Sequence, residues 1–187
     1  MNDFATQLMP LLPELFLAGA GLLLLIIGVF GGDRHATRVS VLTMIAFAGA
    51  LVLLLLGSWE RVDVLNGMFV MDQFGGIVKL IVLFGMIVSV ALSIRYVEHD
   101  NIARFEYPVL MLFAGLGMML MISAHDMLSL YMGLELQSLA AYVLASIRRD
   151  NAKSAEAGLK YFVLGSIAAG LLLFGISLVY GYTGSTN

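Results

Sequence analysis

The sequence predicts an all-α fold, a polytopic transmembrane bundle of about six helices. Of its 187 residues, 60% are hydrophobic and 12% are charged, where an ordinary soluble domain has about 45–50% and about 25%. The apolar residues gather into six runs of roughly 20 residues, the length that crosses a bilayer as a helix. These runs do not alternate in the two-residue period of a barrel strand, so each backbone must satisfy its own hydrogen bonds as a helix.

The first run, Leu11 to Phe30, is read as a retained span. Met1 to Met9 carries no Lys or Arg, and the run is longer than the apolar core of a secretory signal. The second, Val39 to Leu56, follows the short loop Gly31 to Arg38. Gly57 to Gln73 is the one long loop and ends in Asp72, a carboxylate suited to the N-terminus of the third run, Phe74 to Ile94. After Arg95 to Glu106 comes the fourth, Tyr107 to Ile122. The turn Ser123 to Asp126 offers Asp126 as N-cap of the fifth, Met127 to Ile147. Arg148 to Glu156 then leads into the sixth, Ala157 to Tyr182, and a tail of loop composition. Glycines inside the runs, at 19, 21, 85, 115, 117, 165, 170 and 175, suit close helix approach in lipid. The twelve Met read as pliable filling rather than a metal box.

Loop charge sets the orientation, because short loops rich in Lys and Arg stay in the cytoplasm. Arg34, Arg38, Arg95, Arg104, Arg148, Arg149 and Lys153 lie at or in the first, third and fifth loops, against Arg61 alone in the second. The N-terminus is therefore expected outside. Zero Cys excludes disulfides and thiolate-held clusters, and the three scattered His form no ligand set, so neither a metal site nor a redox centre is expected in this chain. A net charge of −3 without a basic stripe argues against nucleic acid and for lipid and other membrane subunits as partners.

Of the 23 charged residues, 20 read as loop or span-end groups, leaving Lys79, Glu135 and Lys160 inside the spans. Glu135 precedes Arg148 by 13 residues, about 20 Å of helical rise, which puts it near the bilayer centre. A carboxylate there should face the bundle interior and mark an ion or proton path. Tyr131, Ser138 and Tyr142 share its helix face. The competing reading is a protonated structural acid bonded between helices. Lys160, seven residues after Lys153, should lie about 10 Å nearer the cytoplasm than Glu135, too far for a direct salt bridge. It reads equally as a snorkelling lysine paired with Glu156 four residues earlier. Lys79, five residues into the third run, lies within snorkelling reach of the outer interface and reads as structural. Glu106 stands at the inner mouth of the fourth run, either as a proton-uptake group or as a helix-start carboxylate.

The stretch Gly133-Leu-Glu135-Leu-Gln-Ser-Leu, with Tyr131 and Tyr142 around it, Arg148-Arg149-Asp after it, and then Leu159-Lys160-Tyr-Phe-Val-Leu-Gly, closely resembles the N subunits of proton-pumping NADH:quinone oxidoreductase, respiratory complex I. Antiporter-like sister subunits and the multisubunit cation/proton antiporters share the glutamate in a Glu-Leu-x-Ser-Leu setting. The resemblance covers Gly115 to Gly184 strongly, and Asp72 to Lys79 and the first two helices more loosely.

That resemblance implies a fold of about fourteen helices with two inverted five-helix repeats. Residues 1–106 would supply helices one to three, and 107–187 helices four to six at the start of the first repeat. It assigns Glu135 and Lys160 to a buried proton path, with Glu106 a candidate for proton uptake. The helix-seven lysine and the second repeat would follow Asn187, so the chain is expected to match an N-terminal portion. The implied role is that of a translocase subunit in a bacterial inner membrane. FMN, iron–sulfur clusters and quinone would be held by partner subunits. A subunit of a multisubunit cation/proton antiporter is the alternative.

Overall fold

A computed structural model describes residues 8–32, 35–99 and 104–187; Arg34, most of the N-terminal tail and part of the third loop, on which the topology argument draws, lie outside the described residues. A 3-10 turn, Met9–Leu11, enters α1, Leu12–Gly31. Then follow α2 (Ala36–Leu56), α3 (Gln73–His99), α4 (Glu106–Ser123), α5 (Met127–Ala145) and α6 (Ala152–Thr183). All six, with the turn extending α1, are long and apolar enough to cross a membrane. The chain is thus a multi-span membrane protein.

Against the sequence reading, α2 starts at Ala36 rather than Val39 and α5 ends at Ala145 rather than Ile147, and two boundaries differ by more. α3 continues to His99, past Arg95, and α6 begins at Ala152 instead of Ala157. Charged residues end the apolar signal but leave the backbone ladder intact, so a helix outruns its hydrophobic stretch. Asn151 sets the α6 start by accepting from the backbone N–H groups of Lys153 and Ser154. Asp126 caps α5 through Leu128 and Ser129, as the sequence suggests, and Asp72 Oδ1 accepts from Gly75 N at 2.6 Å at the start of α3.

The long loop is not irregular. It holds an antiparallel hairpin, β1 (Val62–Val64) against β2 (Phe69–Met71). Leu65, Asn66 and Gly67 all take positive φ at its tip, so Asn66-Gly67 was the readable turn signal. Phe69 bridges to Ala124, and His125 N donates to Met68 O at 2.9 Å, tying the hairpin to the α4–α5 turn.

α1 packs on α2 and α4, α3 also packs on α2 and α4, and α2 touches α4. Phe47, Leu17, Leu83, Leu112 and Met119 fill the core between them with no exposed surface. α5 lies along α4, and α6 leans on α5 with most of its apolar face uncovered. The α4–α5 approach is the tightest. A Cβ at Gly117 would stand 2.6 Å from Gln137 N and 2.7 Å from Gly133 O, so these two helices touch backbone to backbone.

Candidate functional site

Glu135 is the ninth residue of α5, two positions after the Gly133 contact that sets how closely α5 approaches α4. Its side chain is half-buried, and Oε2 is enclosed without a hydrogen-bond partner among the described residues. An oxygen enclosed in this way calls for a hydrogen-bonding partner, because a carboxylate left unsatisfied away from solvent is costly. On the same face Tyr142 is buried, edge-on to Tyr161 with ring centroids 4.7 Å apart. Gly165 of α6 admits the Tyr142 hydroxyl where any Cβ would collide with it.

Lys160 is exposed on α6 and ion-paired with Glu156. No salt bridge joins it to Glu135 among the described residues. Ser154 Oγ donates to Ala145 O at 3.0 Å, which levels the end of α5 with the start of α6. Counted from there, Glu135 and Lys160 stand ten and six residues in, about 15 Å and about 9 Å along their helices. The difference in depth is thus smaller than the loop charges suggested, because α5 ends at Ala145, three residues before the Arg148 from which the sequence counts.

Glu106 opens α4 at the end of the bundle away from the hairpin. Arg149 Nη2 reaches its Oε1 at 3.1 Å, while Oε2 is enclosed with no hydrogen-bond partner among the described residues. Arg148 donates to the Tyr96 hydroxyl at 3.2 Å. The arginine pair is therefore more than a charge anchor. A cavity of about 430 Å³ lies beside Glu106, lined by Leu25, Val29, Phe113, Val143 and Arg149.

Instead of snorkelling, Lys79 is fully buried and ion-paired with Glu14, a residue read as an unremarkable span end. Its helix packs on α2 and α4, Met71 of the hairpin touches the ammonium, and the charge turns inward to Glu14. The readable signal was the matched level of opposite charges in two spans entered from the same side. No group of three or more His, Cys, Asp or Glu capable of holding a metal ion occurs among the described residues.

Residues 124–187 match a family model described as NADH:quinone oxidoreductase/Mrp antiporter, TM. The chain is 56% identical over 181 residues to NADH-quinone oxidoreductase subunit N of Paramagnetospirillum magneticum, covering 97% of this chain and 37% of that protein. It is 49% identical over 180 residues to the Rhodospirillum rubrum subunit N, covering 95% and 37%. Among solved structures, respiratory complex I from Thermus thermophilus with bound aureothin matches with a TM-score of 0.76 and 32% identity, covering 94% of this chain and 38% of that one. An archaeal membrane-bound sulfane sulfur reductase shares the fold, with a TM-score of 0.64. The chain spans about 37% of the length of the curated relatives it matches. A sequence this close to both relatives, with 94% of its length superposing on part of a complex I chain, belongs to the subunit N family of NADH-quinone oxidoreductases, within the antiporter-like membrane subunits.

Proposed function

We propose that this chain takes part in proton translocation coupled to electron transfer from NADH to quinone, as a membrane subunit of an NADH:quinone oxidoreductase. The observation that carries the reading is Glu135, a carboxylate held mid-helix in the Gly-Leu-Glu-Leu-Gln-Ser-Leu setting, with one oxygen enclosed and unpartnered. Glu106 takes up the proton at the cytoplasmic mouth, with Arg149 holding one of its oxygens and leaving the other free to accept. Glu135 and Lys160 carry it onward. A cation brought near Glu135 favours its carboxylate, and withdrawing the cation favours the acid, so charge movements elsewhere in the assembly can drive uptake and release. Lys160 is held by its ion pair with Glu156 and is free to exchange that partner for another charge.

Hydride and quinone chemistry fall to partner subunits that hold the flavin and iron–sulfur clusters, since a chain without Cys has no thiolates to offer. The partners are other membrane subunits, antiporter-like neighbours among them, with phospholipid filling the remaining contacts. The setting is the bacterial inner membrane with the N-terminus and hairpin outside. A second reading, a subunit of a multisubunit cation/proton antiporter, is supported by the family model, which spans both groups. Flavin and iron–sulfur absorbance co-purifying with the chain favours the oxidoreductase, and an intact complex without them favours the antiporter.

Glu135→Gln tests the role directly. It keeps shape and hydrogen bonding but cannot titrate. In membrane vesicles the variant complex should assemble, oxidise NADH and pump poorly, while Glu135→Asp keeps part of the pumping. Normal pumping by Glu135→Gln at normal assembly would remove Glu135 from the path.

A further inference from the structure

Within the four-helix core, α1, α2 and α4 each carry a single charged residue: Glu14, Arg38 and Glu106. Arg38 and Glu106, with Arg95 on α3, stand toward the end away from the hairpin. In the hairpin half only Glu14 and Lys79 remain, and they are paired with side-chain exposures of 3% and 0%. The pair spans from α1 to α3, which otherwise meet mainly through α2 and α4.

Its hydrogen bonding is sparse for two full charges. An ammonium offers three donors, and besides Glu14 it meets Met71 Sδ at 3.0 Å, a weak acceptor that Ser123 Oγ shares at 3.3 Å. Neither Glu14 oxygen has a hydrogen-bond partner beyond the ion pair among the described residues. A clamp selected for stability would have its remaining lone pairs filled, because buried charges repay their desolvation only when fully bonded. The open lone pairs fit a group that receives a proton. One residue away from the pair, at the hairpin end, lies a cavity of about 340 Å³ whose lining includes Pro13, Trp59, Met71, Asp72 and Gly76 but neither Glu14 nor Lys79. Pro13 adjoins Glu14, Met71 contacts Lys79, and the Asp72 carboxylate is the charged group at the cavity wall. Glu60, Arg61 and Asp63 belong to the exposed loop and hairpin beyond it.

We propose that Glu14–Lys79 is a second proton-exchange site, on the hairpin side of the bundle and separate from Glu135. A proton bonds to Glu14 and forms the acid, and the Lys79 ammonium loses its counter-charge. An N–H bond of Lys79 then breaks, its proton passing to a water molecule on the cavity side, leaving acid and amine. Transfer of the Glu14 proton to Lys79 restores carboxylate and ammonium, so one proton enters and one leaves per cycle. The site rests on the proton-translocating reading above.

The test is made in membrane vesicles carrying the full complex, with assembled complex, NADH oxidation and protons moved per NADH measured together. Lys79→Arg keeps a cation beside Glu14 but cannot deprotonate. Glu14→Gln with Lys79→Met removes both charges at once, a change that buried pairs commonly tolerate. Both are expected to assemble yet move fewer protons per NADH, by about twofold or more. Glu14→Gln alone, which leaves the ammonium unpaired, should lower the amount of assembled complex. Full proton yield in either assembled variant would reduce the pair to a structural tie and overturn the site. Failure of the doubly neutral variant to assemble would do the same, by showing that the charges hold the fold. Glu135→Gln, measured alongside, separates the two ideas. If it lowers the yield while Lys79→Arg does not, only this site falls; if the unaltered complex moves no protons, the parent reading falls.

Discussion

Gly117→Ala is the smallest change that tests whether the α4–α5 crossing positions Glu135. The added methyl carbon would lie 2.6 Å from Gln137 N and 2.7 Å from Gly133 O, where ordinary contact begins at 3.4 Å. Both opposing atoms belong to the α5 backbone and cannot rotate aside, so α5 has to retreat by about 1 Å. A gap of that size removes a quarter to a half of the dispersion attraction along the seam, and overfilling of this kind costs about 1–3 kcal/mol. Better helix propensity returns at most about 1 kcal/mol. The net expectation, with the propensity gain fully returned, is a loss of up to about 2 kcal/mol in the α4–α5 association, with Glu135 carried along by the shift. Native gels of detergent-extracted membranes should show a lower dissociation temperature for the complex, and proton pumping should fall by more than NADH oxidation. Gly85→Ala, where nothing stands within 4 Å of the added carbon, serves as the comparison. If Gly117→Ala dissociates and pumps like the unaltered complex, the crossing does not fix the position of Glu135 and the reasoning fails.

Two further predictions concern the ends of the helices. Asp126 is held below the ordinary aspartate range, chiefly by the Thr186 hydroxyl and then by the N–H groups of Ser129 and Leu128, against a partial offset from burial. A lowered carboxyl stabilises the folded form at neutral pH and loses that contribution as pH falls through and below about 3.9. Asp126→Ala should therefore cost about 1 kcal/mol at neutral pH and flatten the acid limb of the thermal stability profile; an unchanged acid limb would contradict this. For topology, cysteines at Ser58 and Asp150 have no competing thiol in this Cys-free chain and leave the Asn151 cap intact. Impermeant reagent should label Ser58→Cys from outside and Asp150→Cys only from the cytoplasm, and labelling of both from one face would reverse the assignment of sides.

Properties that depend on neighbouring residues are legible in the sequence. Lipid offers no hydrogen bonds, so each apolar run of sufficient length declares a helix by itself, and six such runs yield six helices. The caps at Asp72 and Asp126 are equally local, since each carboxylate bonds N–H groups two or three residues ahead. The Asn66-Gly67 turn belongs with them, although three-residue strands are too short to stand out beside the hydrophobic signal of the spans. The setting of Glu135 is likewise written in sequence, because a charge in the middle of an apolar run draws attention whatever surrounds it.

What only the tertiary structure decides is which groups meet. Hydropathy treats Glu14 as a span end and Lys79 as a snorkeller because each lies within a few residues of an interface. Whether such a side chain turns outward or inward depends on what α2, α4 and the hairpin set beside it, and that is a property of how four helices and a loop pack together. The same holds for Arg149, which a charge count reads as an anchor and the fold turns toward Glu106. It holds also for Gly133, whose missing side chain matters only because Met121 of α4 lies against it. Sequence spacing fixes depth along one helix through its constant rise; the partner across the gap follows from rotation and contact between helices, which no single run encodes.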